Sequence, residues 1–230
     1  MTTASEDDDA FSPAIAGEEH EAYQRQGYVA LPGLFGRDVM AMFHAQLNLD
    51  LGLPGQSARY MTHGPLLAEQ AIEIYGRVYP AMLYFLWGLT PRMPQVAGCA
   101  LLPTYCYFRI YQQGDICRVH SDRAACEHSL SLIVTLSDRK PWALAVEIGR
   151  TAVPRAGVDD DFGGASYGSA AMNEGDAVMY QGVHHRHGRL DPNPNEWSAH
   201  LFKHWVDAAG PYRDQAFDRP TLRQAGMLQP

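Results

Sequence analysis

Residues 104–122 read TYCYFRIYQQGDICRVHSD. In its first part Tyr105, Tyr107, Arg109 and Tyr111 alternate with Cys106, Phe108 and Ile110. A period of two over that length is the pattern of a strand, here with one aromatic, cationic face and one apolar face. Gly114 then turns the chain. In the stretch that follows, His120 and Asp122 stand two residues apart, so in extended backbone an imidazole and a carboxylate point to the same side of a sheet.

One more histidine from a neighbouring strand would complete a set of two histidines and one carboxylate. Such a set occupies one face of an octahedral ion, leaves positions open, and offers ligands harder than thiolate that suit Fe(II). The candidates are His184, His185 and His187, which follow a Gly175-Asp176 turn and the apolar strand 177–180. Cys117 and Cys126 flank the first motif but do not continue its two-residue alternation, so they read as packing residues.

Further strands are expected over 129–136, where Ser129, Ser131, Ile133 and Thr135 alternate with Leu130, Leu132, Val134 and Leu136, over 142–148 with Trp142, Leu144, Val146 and Ile148 on one face, and over 197–206. Upstream, the pattern is helical. A short helix, a turn at Gly27 and a short strand precede a helix over 37–49 with Val39, Met42, Phe43 and Leu47 on one face, and 66–89 reads as a helix broken near Pro80. The segments 52–64 and 153–168 read as loops, and the acidic run Asp159-Asp160-Asp161 lacks the ligand spacing of a calcium loop. Short strands between turn signals, without a strand-helix-strand rhythm, indicate an antiparallel sandwich or barrel.

The 230 residues allow one domain with a substantial core. The expected division is a disordered acidic arm over 1–20, a helical support region over 21–98, a β core over 99–206 and a polar tail over 207–230. A net charge of −8 with scattered arginines gives no phosphate-tracking face, so no nucleic-acid partner is expected. No apolar run reaches the roughly 20 residues of a membrane span, so no membrane partner is expected. Four cysteines without a CxxC pair or a secretory signal favour reduced thiols and a cytoplasmic location.

Three segments together resemble the Fe(II)/2-oxoglutarate-dependent dioxygenases of the prolyl-hydroxylase-like and phytanoyl-hydroxylase-like kind. These are 23–35 (YQRQGYVALPGLF), 109–122 (RIYQQGDICRVHSD) and 175–187, which look like the entry segment, the tyrosine strand with the proximal metal motif, and the distal strand with its histidine. The resemblance implies a mainly β fold with flanking helices around a double-stranded β-helix, the jelly roll of the cupin type. It also implies Fe(II), 2-oxoglutarate as cosubstrate and O2, with release of succinate and CO2. Aligned on it, the distal histidine falls on His187, ahead of His185 and His184, which gives His120, Asp122 and His187 as the ligand set. The substrate class implied is a small molecule, an amino acid or a peptidyl residue. The presence of Asp122 argues against halogenation, because family halogenases replace that carboxylate with a small residue.

The sequence departs from the family beyond the distal histidine. The arginine or lysine that pairs with the far carboxylate of 2-oxoglutarate is missing from the last strand. Arg109 is the first substitute, since it shares a face with Tyr111, whose hydroxyl matches the family's cosubstrate-binding tyrosine. Arg109 also fits a structural ion pair at a barrel edge. Arg189 is the second substitute; Lys203, which could point outward, is the third. The missing cation keeps an alternative in play, a cupin-like metal-binding barrel that does not use 2-oxoglutarate.

Overall fold

The computed structural model describes residues 13–226. In chain order its elements are α1 (Pro13–Gln26), β1 (Tyr28–Leu31), α2 (Arg37–Leu51), β2 (Met61–Thr62), β3 (Ala71–Tyr75), α3 (Ala81–Leu89), α4 (Met93–Ala97), β4 (Leu101–Gln112), β5 (Cys117–His120), β6 (His128–Leu136), β7 (Leu144–Glu147), β8 (Val158–Asp159), β9 (Tyr167–Ala170), β10 (Ala177–Tyr180), β11 (His187–Arg189), β12 (Trp197–Asp207) and α5 (Arg219–Gln224). Seven strands form one sheet in the order β1-β10-β6-β12-β4-β3-β2, and five form a second in the order β8-β5-β11-β7-β9. The two sheets make a double-stranded β-helix, bonded across its interior where Arg189 of β11 donates to Ser131 of β6.

The alternation read in β4, β6 and β12 assigns each face its task. Cys106, Phe108, Ile110, Leu130, Leu132, Val134, Ala199, Leu201 and Trp205 point outward into the main core, under Met40 and Leu47 of α2 and Met82 and Leu86 of α3. Each fully buried Leu or Phe in that layer contributes roughly 1.5–3 kcal/mol. The opposite face of β4, with Tyr105, Tyr107, Arg109 and Tyr111, lines a chamber between the sheets.

Several expectations are corrected. The stretch 66–89 is not a broken helix: Ala71–Tyr75 is a strand on the edge of β4, with Glu73 opposite Arg109 and Tyr75 opposite Tyr107. Its Ile72 and Ile74 are β-branched, and an open strand edge beside them outweighs helical periodicity. The support region 21–98 is therefore part of the sheet, through β1 on β10 and β3 on β4. Helix α2 buries Met40, His44 and Leu47, while Val39 and Met42 are 52% and 69% exposed. The buried row is a true i, i+4, i+7 face, and it contains a histidine that packs on Trp197 and Phe108. Ile148 lies beyond the end of β7 and is exposed.

The acidic stretch Ser5–Asp9 lies outside the described residues, but residues 13–20 of the expected arm belong to helix α1 (Pro13–Gln26). The helix is tied to the rest of the fold: Gln24 and His20 donate to the last carbonyls of α4, those of Ala97 and Val96, and the buried Tyr23 hydroxyl is hydrogen-bonded to His128 Nδ1 at 2.7 Å. The tail after Gly210 is not featureless either, since it forms α5, and Asp218 just before that helix pairs with Arg123 at 3.3 Å. All four cysteines are free thiols, and no helix of the described residues is long and apolar enough to cross a membrane.

Candidate metal centre

Strands β5 and β11 pair so that His120 and His187 are direct cross-strand partners, with ring centroids 4.4 Å apart. Strand β5 ends at His120, so Asp122 reaches the same place from the bend beyond it, pinned by its backbone N–H donating to the Gly182 carbonyl at 2.8 Å. Asp122 Oδ1 lies 3.5 Å from His120 Nε2 and 3.6 Å from His187 Nε2. The other ring nitrogens are spoken for: Nδ1 of His120 donates to the Arg118 carbonyl at 2.8 Å, and Nδ1 of His187 to the His185 carbonyl at 3.1 Å. That makes Nδ1 the donor in each ring, so the neutral imidazole carries its lone pair on Nε2.

Two lone pairs and a carboxylate oxygen thus face one another with no donor between them. This donor set fits a cation, and it lies within the 4.8 Å mutual spacing that a single ion can bridge. Burial disfavours the charged Asp122 carboxylate, yet His187 and His120 beside it overcome that and hold its carboxyl well below the usual range. Burial, reinforced by His187, lowers the His120 pKa and keeps the ring neutral, the form that ligates.

His185 and His184 are not brought to this cluster. Their Nδ1 atoms donate to the carbonyls of Glu147 at 2.8 Å and Thr151 at 2.9 Å, and the His185 ring covers Gly27 so closely that a Cβ there would lie 2.3 Å from it. Asp122 also belongs to a second possible set with Cys126 and His204. There burial, followed by Asp122, pushes the Cys126 thiol well above its ordinary range, so it is a protonated thiol and a poor ligand.

The chamber has a volume of about 270 Å³, and both Arg109 and Arg189 line it. The two are not equivalent. Arg109 donates through Nε and Nη2 to Glu73 Oε2 and through Nη1 to the Tyr111 hydroxyl, so its charge is already matched. Arg189 is 1% exposed and donates only to neutral groups: the Trp142 carbonyl at 2.7 Å, Ser131 Oγ at 3.2 Å, His200 Nδ1 at 3.4 Å and Met172 Sδ at 3.5 Å. No carboxylate among the described residues pairs with it. Lys203 faces away from the chamber, into the main core beside Cys106, Phe35 and Phe85, and is fully buried rather than pointing out to solvent.

No protein-family model and no curated protein sequence matches this chain. Solved structures match it in shape. The non-haem α-ketoglutarate-dependent carbocyclase SnoK from nogalamycin biosynthesis superposes with a TM-score of 0.68 at 14% identity, over 93% of this chain and 90% of that one. HygX from Streptomyces hygroscopicus, in a structure with nickel, 2-oxoglutarate and hygromycin B bound, gives 0.61 at 11% identity, over 84% and 87% of the two chains. A Pseudomonas putida prolyl-4-hydroxylase gives 0.56 at 13% identity, over 82% and 98%. This chain has the fold of the Fe(II)/2-oxoglutarate-dependent oxygenases.

Within that oxygenase fold, spacing alone missed several residues that touch the chamber's key groups. Glu73, the partner of Arg109, was hidden by the helical reading of its segment. His200 and His204 lie on β12, His200 against Arg189 and His204 against Ser129 beside Asp122, and their alternation with outward Ala199, Leu201 and Lys203 was the available signal. His200 donates from Nε2 to Ser198 Oγ at 2.9 Å, which leaves its Nδ1 to accept from Arg189. Ser129, bonded to Asp122, carried no signal beyond its place on the inward face of β6.

Proposed function

We propose that this chain is a non-haem Fe(II)/2-oxoglutarate-dependent dioxygenase that hydroxylates a small molecule. His120, Asp122 and His187 hold the iron, and Arg189 with Tyr111 holds the far carboxylate of 2-oxoglutarate. One observation carries the reading: a donor set made only of lone pairs shares a chamber with a buried guanidinium that has no counter-anion among the described residues. A fully buried cation left with neutral acceptors is costly, and an anionic ligand offsets that cost. Arg189 therefore replaces Arg109 as the first choice for this role, because Glu73 already satisfies Arg109. A metal barrel without this cosubstrate leaves Arg189 unexplained.

Bound Fe(II), supplied with 2-oxoglutarate and O2, provides the oxidising power to break an unactivated C–H bond, with succinate and CO2 as coproducts. The residues of this chain bind, orient and exclude water. The carbonyl acceptors of His120 and His187 lock both rings with Nε2 toward the metal position. Tyr111 is held as a neutral phenol by burial, against the pull of Arg109, and so keeps a proton with which to bond a carboxylate. Trp142 and Met172 close the Arg189 end against solvent. On the other side of the chamber, Tyr105, Tyr107 and Arg123 form the wall available to a substrate, a space suited to a small molecule. The solved neighbours crystallised with nogalamycin RO and hygromycin B support that size class.

Incubation with Fe(II), 2-oxoglutarate and O2 across a panel of small molecules tests the assignment. Succinate formed in proportion to an oxygenated product is the expected outcome; iron bound without succinate from any member of the panel would remove the cosubstrate and leave a metal-binding barrel.

A further inference from the structure

Asp122 presents its two oxygens to different surroundings. Oδ1 faces the two imidazoles, while Oδ2 lies 3.0 Å from the hydroxyl of Ser129 on the opposite sheet. Ser129 Oγ is also 2.8 Å from His204 Nδ1 and 3.2 Å from the Cys126 carbonyl, and Ser129 and His204 are register partners in β6 and β12. A hydroxyl has one proton, and of these three neighbours only the imidazole can donate. The consistent arrangement is His204 Nδ1–H donating to Ser129 Oγ, and Ser129 Oγ–H donating to Asp122 Oδ2. It leaves a bare lone pair on His204 Nε2, which is buried without a hydrogen-bond partner among the described residues.

A third group closes the cradle. A Cβ on Gly182 would lie 2.3 Å from Asp122 Oδ2, 2.8 Å from the Cys126 carbonyl and 2.9 Å from Ser129 Oγ. Gly182 also accepts the Asp122 backbone N–H. The carboxylate is thus pinned at its backbone, bonded at Oδ2 and walled in at Oδ2, with only Oδ1 turned to the histidines.

We propose that Ser129, His204 and Gly182 are positioning residues that restrict Asp122 to coordination through Oδ1 alone. A carboxylate free to rotate would offer both oxygens and take up a position on the ion. Held this way, it leaves that position open for a chelating cosubstrate. This role rests on the metal assignment made above, and it acts through Asp122 rather than on any reacting atom.

Co(II), a spectroscopic probe that does not react with O2 as Fe(II) does, tests the role in the full-length chain. Affinity is read by competition with a chelator, and coordination from the visible d–d bands. Ser129→Ala is expected to weaken Co(II) binding about 10–100-fold, the usual effect of removing an outer-shell partner, and to alter the d–d spectrum. Ser129→Thr, which keeps the hydroxyl, is expected to restore most of both. Gly182→Ala is expected to change the spectrum in the same direction, with circular dichroism confirming that the variant folds; if it does not fold, the Ser129 pair decides. Wild-type affinity and an unchanged spectrum in Ser129→Ala overturn the positioning role while leaving the ligand set intact. Failure of the wild-type chain to bind Co(II) or Fe(II) overturns the metal assignment itself, and the positioning role with it.

Discussion

Replacing Lys203 with Met isolates the energetic effect of one buried charge and separates two candidate cations. The ammonium carrier lies in the main core with no hydrogen-bond partner among the described residues, beside Cys106 and the rings of Phe35 and Phe85. Burial lowers its pKa from 10.5 to about 7, with Cys106 opposing slightly. The folded chain therefore releases this proton near pH 7, whereas the unfolded chain holds it to pH 10.5. Between those limits the unfolded state binds more protons, so this residue makes stability rise with pH across that window. Below about pH 7 both states are protonated and the penalty is full and constant.

At 1.36 kcal/mol per pH unit, the full penalty is about 5 kcal/mol. Lys203→Met keeps the unbranched volume and removes the amine. It is expected to raise stability at pH 7 by about 3 kcal/mol or more once structural relaxation is discounted, and by less than about 1 kcal/mol at pH 10. Urea unfolding at pH 6, 7, 8.5 and 10, compared between the two proteins, measures this difference directly. Because Lys203 faces away from the chamber, the variant is also expected to retain its affinity for 2-oxoglutarate. A stability gain that does not vary with pH, or no gain at pH 7, would refute the burial argument; lost cosubstrate affinity would refute the assignment of the site's cation.

Arg189→Met is expected to weaken 2-oxoglutarate binding by about 100-fold, or roughly 3 kcal/mol, with Fe(II) affinity unchanged in a chelator competition. His187→Ala is expected to weaken Fe(II) binding by more than the roughly 10–100-fold typical of outer-shell changes, whereas His185→Ala is expected to leave it near the wild-type value. Glu73→Ala strands the buried Arg109 guanidinium without its carboxylate, which costs about 3 kcal/mol or more and should lower the melting temperature by about 6–12 °C.

The parts of the fold that sequence revealed were those where burial on one face imposes a period of two. The alternations in β4 and β6 could be read because one side of each strand meets the helices, while the other side of β4 lines the chamber and that of β6 packs toward β7 of the second sheet. The segment 66–89 misled because its strand is stabilised by the edge of β4, a partner that lies some thirty residues downstream and leaves no local mark. The α2 face was misjudged for a related reason: the buried position His44 is polar by type and apolar by contact.

The structure brings His120 and Asp122 together on a different geometric basis from the one the spacing suggests, since Asp122 sits past the strand end rather than on it. His120 and His187 meet through strand register, which no spacing reports. The proposed ranking of the cations differs from the one read in the sequence because charge alone does not distinguish a paired arginine from an unpaired one. The proposal turns on Glu73, which became visible as the partner of Arg109 only once β3 was placed.

In the proposed function the lone-pair cluster and Arg189 serve one chelated ligand. Anaerobic titration of 2-oxoglutarate into the Fe(II)-loaded protein measures it most directly. A weak visible charge-transfer band is expected, saturating at one equivalent in the wild-type chain and requiring about 100-fold more ligand in Arg189→Met. No band in the wild-type chain with iron bound, or an identical titration in Arg189→Met, would contradict it.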